Sequence, residues 1–215
     1  MPVVKEQKIP DATIERVALY LRPLEDLIKE GVDVVSSDKL AEMCKVNPAQ
    51  VRKDLSFFGE FGVRGVGYNV YDLIIEIKKI LASDREWRLG IVGLDDMGMA
   101  LVQHKNFFKR GYKFVAAFDS DPKKIGQRLP MGLTIQPIRK IKPLAQELGI
   151  EIGVITTSPL QAQAVADMFF EVGTMAILNF SPIHLRKPDC CLVQNVDFSL
   201  TLDHLAYRLS KVIRV

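Results

Sequence analysis

Two stretches of this chain carry side chains whose types and spacing could do chemistry. In NPAQVRKDLSFFG, Val51, Leu55 and Phe58 fall at i, i+4 and i+7, so on a helix they share an inward face. Gln50, Arg52, Lys53 and Ser56 then lie on or beside the outward face. A short helix showing Gln, Arg, Lys and Ser suits the major groove of DNA, where Arg can pair bidentately with guanine and Gln with adenine. Downstream, Arg64 stands between Gly62 and Gly65, in a turn that would let one cation enter a minor groove or grip phosphate. The same residues also suit a helical interaction module that merely shows Arg52, Lys53 and Arg64 to solvent, because such patterns are weak alone.

The second stretch, RLGIVGLDDMGMAL, reads as strand, turn and helix start, which is the context of a dinucleotide fingerprint. Gly93 suits the tight turn and Gly98 suits close helix–strand packing, but Asp95 stands where a middle glycine would admit the pyrophosphate. A carboxylate about 5 Å from a phosphate charge costs roughly 3 kcal/mol at an effective dielectric near 20. Asp95 or Asp96 is also placed to cap the helix. Asp119 ends the strand KFVAAFD, 26 residues past Gly93, where a carboxylate can accept the ribose hydroxyls of NAD; an Asp there also forms turns. Thr156, Thr157 and Pro159 follow the strand EIGVITT, and Asn179, Phe180, Ser181 and Pro182 follow MAILNF. Loops at strand C-termini bind ligands in α/β sheets, although turn chemistry alone uses the same residue types.

The elements that position these residues differ along the chain. Over residues 12–82 apolar positions recur at helical spacing, as in Ile14, Val17, Leu21, Leu24 and Ile28, with a kink or break predicted at Pro23. Ser36 or Ser37 can cap the next helix. Asn47 caps the one after, with Pro48 in the first helical position and Gln50 reaching back. GEFGVRGVGYNV reads as a short β-hairpin before a helix from about Tyr71 to Leu81. From Trp87 the runs RLGIVG, KFVAAFD, EIGVITT, MAILNF and CLVQNV alternate with helical patterns such as MGMALVQHKNFFKR, implying right-handed βαβ units and a parallel sheet. The domain boundary falls around residues 82–87. The last segment places Phe198, Leu202, Leu205, Leu209 and Val212 on one helical face.

Composition narrows the classes. The chain has 215 residues, 48% hydrophobic and 26% charged, which suits a soluble globular protein of one or two domains. No apolar run approaches the roughly 20 residues that span a bilayer, and MPVVKEQKIPDATIERV lacks the pattern of a signal peptide, so the expectation is a cytoplasmic protein. Net charge is only +3, so any nucleic-acid partner must be met by local arrangement. Cys44, Cys190 and Cys191 make neither a disulfide framework nor a tetrahedral zinc site, and read as plain thiols. An NAD-dependent oxidoreductase is disfavoured, because no substrate domain remains and none of the 3 histidines is a persuasive acid–base group.

Taken together, the stretches IPDATIERVALYLR, VSSDKLAEMCKVNPAQVRKDLSFFGEFGVRGVGYNV, DREWRLGIVG, AAFDSDPKKIG, ILNFSP and NVDFSLTLDHLAYRLS resemble the Rex redox-sensing transcriptional repressors over nearly the full length. The resemblance implies an α/β chain: a winged-helix DNA-binding domain over 1–84, a Rossmann-like domain over 85–198 and an exchanged dimerisation helix over 199–215. It implies a homodimer on a palindromic operator, released by NADH, with NAD(H) as ligand. Arg52, Lys53 and Ser56 would touch DNA from the recognition helix and Arg64 from the wing. Arg16 and Asp197 look like the family's inter-domain switch pair. Two positions depart from the family pattern: Asp95 replaces a glycine, and His104 in ALVQHK stands where a tyrosine near the nicotinamide is common. Both fall in the sensor, so a repressor whose ligand is lost or changed stays open beside the NADH sensor.

Overall fold

A computed structural model describes residues 9–63 and 65–212; Arg64 and residues 213–215 of the C-terminal segment lie outside the described residues. The chain divides into two compact units, one ending at Arg85 and one starting at Glu86.

The first unit runs α1 (Asp11–Lys29), β1 (Val34–Val35), α2 (Ser37–Cys44), α3 (Pro48–Ser56), β2 (Tyr68–Asn69) and α4 (Val70–Ile80). Its core joins Val17, Tyr20 and Leu24 of α1 to Leu40 of α2, Val51 and Leu55 of α3, and Leu73 and Ile77 of α4. The break allowed for at Pro23 does not occur: α1 runs as one helix through it. Proline denies Leu19 its intrahelical donor at a cost of about 3 kcal/mol. Buried Tyr20, Leu21, Leu24 and Leu27 flank the site, each contributing about 1.5–3 kcal/mol, and the Cys44 thiol faces the Leu19 carbonyl at 4.0 Å. Packing outweighs the local penalty.

The caps largely match the sequence. Ser36 accepts from the Lys39 N–H at 3.1 Å, and Asn47 accepts from the Ala49 N–H at 2.8 Å with Pro48 opening α3. The expected hairpin is reduced. Val63 and Gly67 form a single antiparallel bridge, and Tyr68–Asn69 pairs instead with Val34–Val35.

The second unit runs β3 (Trp87–Val92), α5 (Asp96–Val102), α6 (Lys105–Lys109), β4 (Tyr112–Asp119), β5 (Ile135–Pro137), a 3-10 turn (Ile138–Lys140), α7 (Ile141–Glu147), β6 (Ile152–Ile155), α8 (Pro159–Phe170), β7 (Ala176–Asn179), β8 (Leu192–Asn195) and α9 (Phe198–Val212). All neighbouring strands in the order β5-β4-β3-β6-β7-β8 are parallel. Counted along the chain that is 3-2-1-4-5-6, the dinucleotide-binding arrangement, and it puts the switch point between β3 and β6. Successive residues of the central strands feed two different cores: Ile91, Ala117 and Val154 one, and Val92, Phe118 and Ile155 the other. The sheet is therefore covered on both faces.

Two details differ from the sequence reading. MGMALVQHKNFFKR is not one helix but α5 and α6, broken at Gln103–His104. A sixth strand, β5, escaped the pattern because 3 residues ending in proline carry no periodic signal.

Candidate functional site

On α3 the polar side chains sort into two groups. Asp54 is fully buried and held from three sides: Arg16 binds it bidentately at 2.7 and 2.7 Å, the Tyr20 hydroxyl donates at 2.7 Å and the Gln50 amide at 2.7 Å. Burial alone would raise the Asp54 carboxyl, but these donors hold it below the usual carboxylate range. Burial and the same carboxylate push the Tyr20 hydroxyl well above its ordinary value. Gln50 is corrected as a capping-box partner: its amide donates to Asp54 four residues on, a bond that leaves its second N–H and its oxygen unengaged among the described residues. Arg16 is likewise engaged inside its own unit.

Arg52, Lys53 and Ser56 are exposed. Arg52 donates to Ser37 Oγ at 2.7 Å, tying the outer face of α3 to the start of α2, and Ser56 Oγ donates to the Lys53 carbonyl at 2.8 Å. A cleft of about 650 Å³ runs beside them, lined by Ser37, Arg52, Ser56, Gly62 and Gly65 among others. One face of α3 is thus locked to the domain while the other carries two cations toward solvent.

In the second unit the glycine turn is built by close approach. Gly93 has φ +95°, and a Cβ there would meet the Thr157 backbone nitrogen at 2.9 Å; a Cβ at Gly98 would meet the Gly93 carbonyl at 1.9 Å. Thr156 Oγ1 donates to the Val92 and Gly93 carbonyls at 3.0 and 2.6 Å, so it pins β6 to the turn and has no proton left for a ligand. Asn179 is fully buried; its amide donates to the Ser181 and Ile183 carbonyls and to Asn195, and its oxygen accepts the Ser181 N–H. Thr156 and Asn179, expected to bind ligand, spend their side-chain donors on the architecture. Pro159 opens α8. The residues left with something to offer are Thr157 and Ser181, whose buried hydroxyls have no hydrogen-bond partner among the described residues. Thr157 follows β6 and Ser181 follows β7.

Asp119 is buried and also engaged. It accepts the Leu94 N–H at 2.7 Å and the Asp121 N–H at 2.9 Å, bracing the turn after β3. Burial pulls its carboxyl up, but these amides and Lys124 win and hold it low. Lys124 is the residue that sequence reasoning missed. Its ammonium lies 3.4 Å from Asp119 and in direct contact with Asp95, and the Asp95 contact raises it above the ordinary lysine value. Its signal was the KK of SDPKKIG, one residue of which had to fold back over the strand end. Asp95 occupies the N-cap position of α5 but makes no capping bond, because its carboxylate goes to Lys124 instead. Neither Asp95 nor Asp96 is recorded in a capping bond there.

His104 sits at the N-cap of α6 with its ring edge-on to Phe107, centroids 5.5 Å apart. The 7 residues of α5 carry it about 10 Å along the helix from the glycine turn. Asp197 accepts the Ser199 N–H and hydroxyl at 2.9 and 2.5 Å at the start of α9, and these bonds hold its carboxyl low. No residue of α9 is buried: Phe198, Leu202, Leu205, Leu209 and Val212 are 53–71% exposed.

No helix among the described residues is long and apolar enough to cross a membrane, and no cluster of side chains there could hold a metal ion. Residues 8–56 match the family model described as "Putative DNA-binding protein N-terminus", and residues 84–183 match "CoA binding domain". The redox-sensing transcriptional repressor Rex of Syntrophobacter fumaroxidans is 51% identical over 96% of this chain and 99% of its own length. Rex of Solidesulfovibrio magneticus is 48% identical over 93% of this chain and 94% of its own. Among solved structures, RSP in complex with β-NAD+ and operator DNA aligns with a TM-score of 0.90 at 33% identity, covering 94% of this chain and 93% of that one. RSP, described as a Rex-family repressor, was also solved with β-NADH, with a TM-score of 0.86 at 32% identity over 95% of this chain and 96% of that one. With a helical reader in one unit, a dinucleotide-type sheet in the other and near-complete alignment at this identity, the chain belongs to the Rex family of redox-sensing transcriptional repressors.

Proposed function

We propose that this chain binds operator DNA as a homodimer in the cytoplasm and leaves it when NADH rises against NAD+. The division of labour on α3 carries the DNA reading. Asp54 fixes the helix from within, and Arg52, Lys53 and Ser56 are exposed, where Arg52 and Ser56 can exchange their surface contacts to Ser37 and the Lys53 carbonyl for base edges and phosphates. The family resemblance adds Arg64, which stands between Gly62 and Gly65 in the sequence, to this set. The relative RSP binds operator DNA, and Arg52, Lys53 and Ser56 lie on the helix that would meet it here.

The strand order puts a switch point between β3 and β6, the place where a dinucleotide lies in this arrangement. Thr157 and Ser181 offer buried hydroxyls without partners, Gly93 and Gly98 leave no room for side chains, and Lys124 offsets the charge of Asp95. Asp119 braces the turn through two backbone amides and keeps carboxylate lone pairs that can accept ribose hydroxyls. The bound dinucleotide supplies a difference in affinity between the DNA-holding and released forms, since a ligand that binds both equally shifts nothing. Arg16 is held by Asp54 and Asp197 by Ser199; a switch through Arg16 and Asp197 trades these contacts for others. His104, beyond α5, tunes the preference for NADH over NAD+.

A monomer rarely exposes so continuous an apolar stripe as α9, which a second copy would cover, giving the two-fold symmetry of a palindromic site. Membership of a repressor family speaks against the oxidoreductase reading. The test is operator affinity by fluorescence anisotropy with NADH and NAD+ titrated separately. NADH should release the operator at concentrations where NAD+ does not. Release by neither, with no dinucleotide heat in calorimetry, would leave a repressor with a different ligand.

A further inference from the structure

The paired thiols before β8 belong to neither set of candidate residues above. Cys190 is exposed and Cys191 is 4% exposed, and their sulfurs lie 3.8 Å apart. The pair is set by a tight turn in which the Cys191 N–H donates to the Pro188 carbonyl at 3.0 Å, and Leu192 then enters the sheet through the Met175 carbonyl at 2.7 Å.

Two chemistries are open to neighbouring thiols, and the geometry separates them. A disulfide needs sulfurs about 2.05 Å apart and Cα atoms about 4.4–6.8 Å apart, whereas adjacent residues across a trans peptide have Cα atoms only about 3.8 Å apart. The peptide between the cysteines is trans, as no cis bond occurs among the described residues, so closure to a disulfide would strain this turn. A bridging atom removes the conflict. For an atom about 2.3 Å from each sulfur, an S–X–S angle of about 95–110° spaces the sulfurs about 3.4–3.8 Å apart. The observed separation falls there.

We propose that Cys190 and Cys191 form a chelating dithiol for a soft, thiophilic trivalent arsenical. Arsenite, As(OH)3, would react with the two thiols to give (RS)2AsOH and two waters. Two As–O and two S–H bonds break, two As–S and two O–H bonds form, and arsenic stays trivalent, so no oxidant is required. Exposed Cys190 captures the arsenical and the buried neighbour closes the ring. Burial, with Cys190 beside it, pushes the Cys191 thiol up, so its thiolate forms less readily and it closes the ring second.

The second thiol acts intramolecularly, so its effective concentration is millimolar or higher and the chelate should outlast a single bond by about 10²–10⁴-fold in competitor concentration. The probe is phenylarsine oxide on the full chain, read by intact mass under rising glutathione. The expected product is one phenylarsenic group per chain with loss of one water. Stripping it should take at least about 100-fold more glutathione than from Cys190→Ser or Cys191→Ser. Cys44→Ser should behave as the parent, and excess dithiothreitol should remove the group. Circular dichroism of each variant establishes that it is folded. Should Cys191→Ser fail to fold, Cys190→Ser, altered at an exposed position, decides alone. Equal stripping from parent and Cys190→Ser, or a group mapped to Cys44, would overturn the site.

Discussion

Replacing Asp95 by glycine supplies the middle residue of the dinucleotide fingerprint, and the size of the effect discriminates two pictures of the sensor. Taken alone, the carboxylate costs roughly 3 kcal/mol against a phosphate charge about 5 Å away at an effective dielectric near 20, so its removal should tighten NADH by about 10². The structure reduces that figure in two ways. The Asp95 side chain is 78% exposed, so the water limit applies more closely and the same charges interact by about 0.8 kcal/mol. Lys124, in contact with Asp95, brings the opposite charge to the same place. The expected results are therefore about fourfold tighter binding for Asp95→Gly, about fourfold weaker for Lys124→Met, and the double variant within about twofold of the parent. Methionine keeps the length of the lysine stem, so the turn holds its packing. Calorimetric titration with NADH reads all four proteins, and raised salt should compress the spread. A hundredfold gain from Asp95→Gly, or no loss from Lys124→Met, would refute the compensation.

Three further outcomes follow from the same geometry. Asp54→Ala leaves Arg16 and the Tyr20 hydroxyl without their partner; Arg16 is 27% exposed, so the loss should sit near the low end for a buried pair, about 3 kcal/mol, or about 12–24 °C on the transition of the first unit in calorimetry. Because the folded Asp54 carboxyl lies below its unfolded value of about 3.9, its contribution is complete above about pH 4 and is lost as pH falls through the folded value. Asp54→Asn should therefore show a shallower acid limb in stability measured against pH. Arg52→Ala should weaken a specific operator by about 1–3 kcal/mol and relax its sequence preference, whereas Lys53→Ala should weaken all sequences alike and lower the salt slope by about 1, both measured by anisotropy. Leu205→Asp alters a side chain that is 61% exposed in the single chain, so it should yield a folded monomer by light scattering; an intact dimer would remove α9 from the interface.

The fold was legible wherever a residue's role is set by its near neighbours in sequence. Ser36, Asn47 and Pro48 occupy the helix starts that local capping chemistry assigns, and the alternation of apolar runs with helices carries the parallel sheet. The misreadings have two causes. Pro23 stays inside α1 because distant residues of α2, α3 and α4 pack on that helix, and Asp95 abandons its cap because Lys124 reaches it from 29 residues away. Gln50 abandons its cap for a charged acceptor one turn along the same helix, Asp54. A tertiary or charged partner outbids a local hydrogen bond worth about 1 kcal/mol.

That competition also explains why the candidate ligand residues could be named by position but not by role. Thr156, Thr157, Asn179 and Ser181 are equivalent in a pattern of polar residues after strands, yet Thr156 and Asn179 spend every donor on backbone and side-chain acceptors, and Thr157 and Ser181 spend none. An unpaired buried hydroxyl costs about 1–3 kcal/mol, so two of them at adjacent strand ends are a standing penalty unless something supplies partners. On the proposed function, a dinucleotide lying across the switch point would supply them. Thr157→Val and Ser181→Ala should then behave oppositely in the two measurements: each stabilises the ligand-free chain or leaves it unchanged in calorimetry, and each weakens NADH by about 0.5–1.5 kcal/mol in titration. Loss of stability without loss of affinity would mean that the hydroxyls find partners within the chain, and that Asn179 and Thr156 were the wrong residues to set aside.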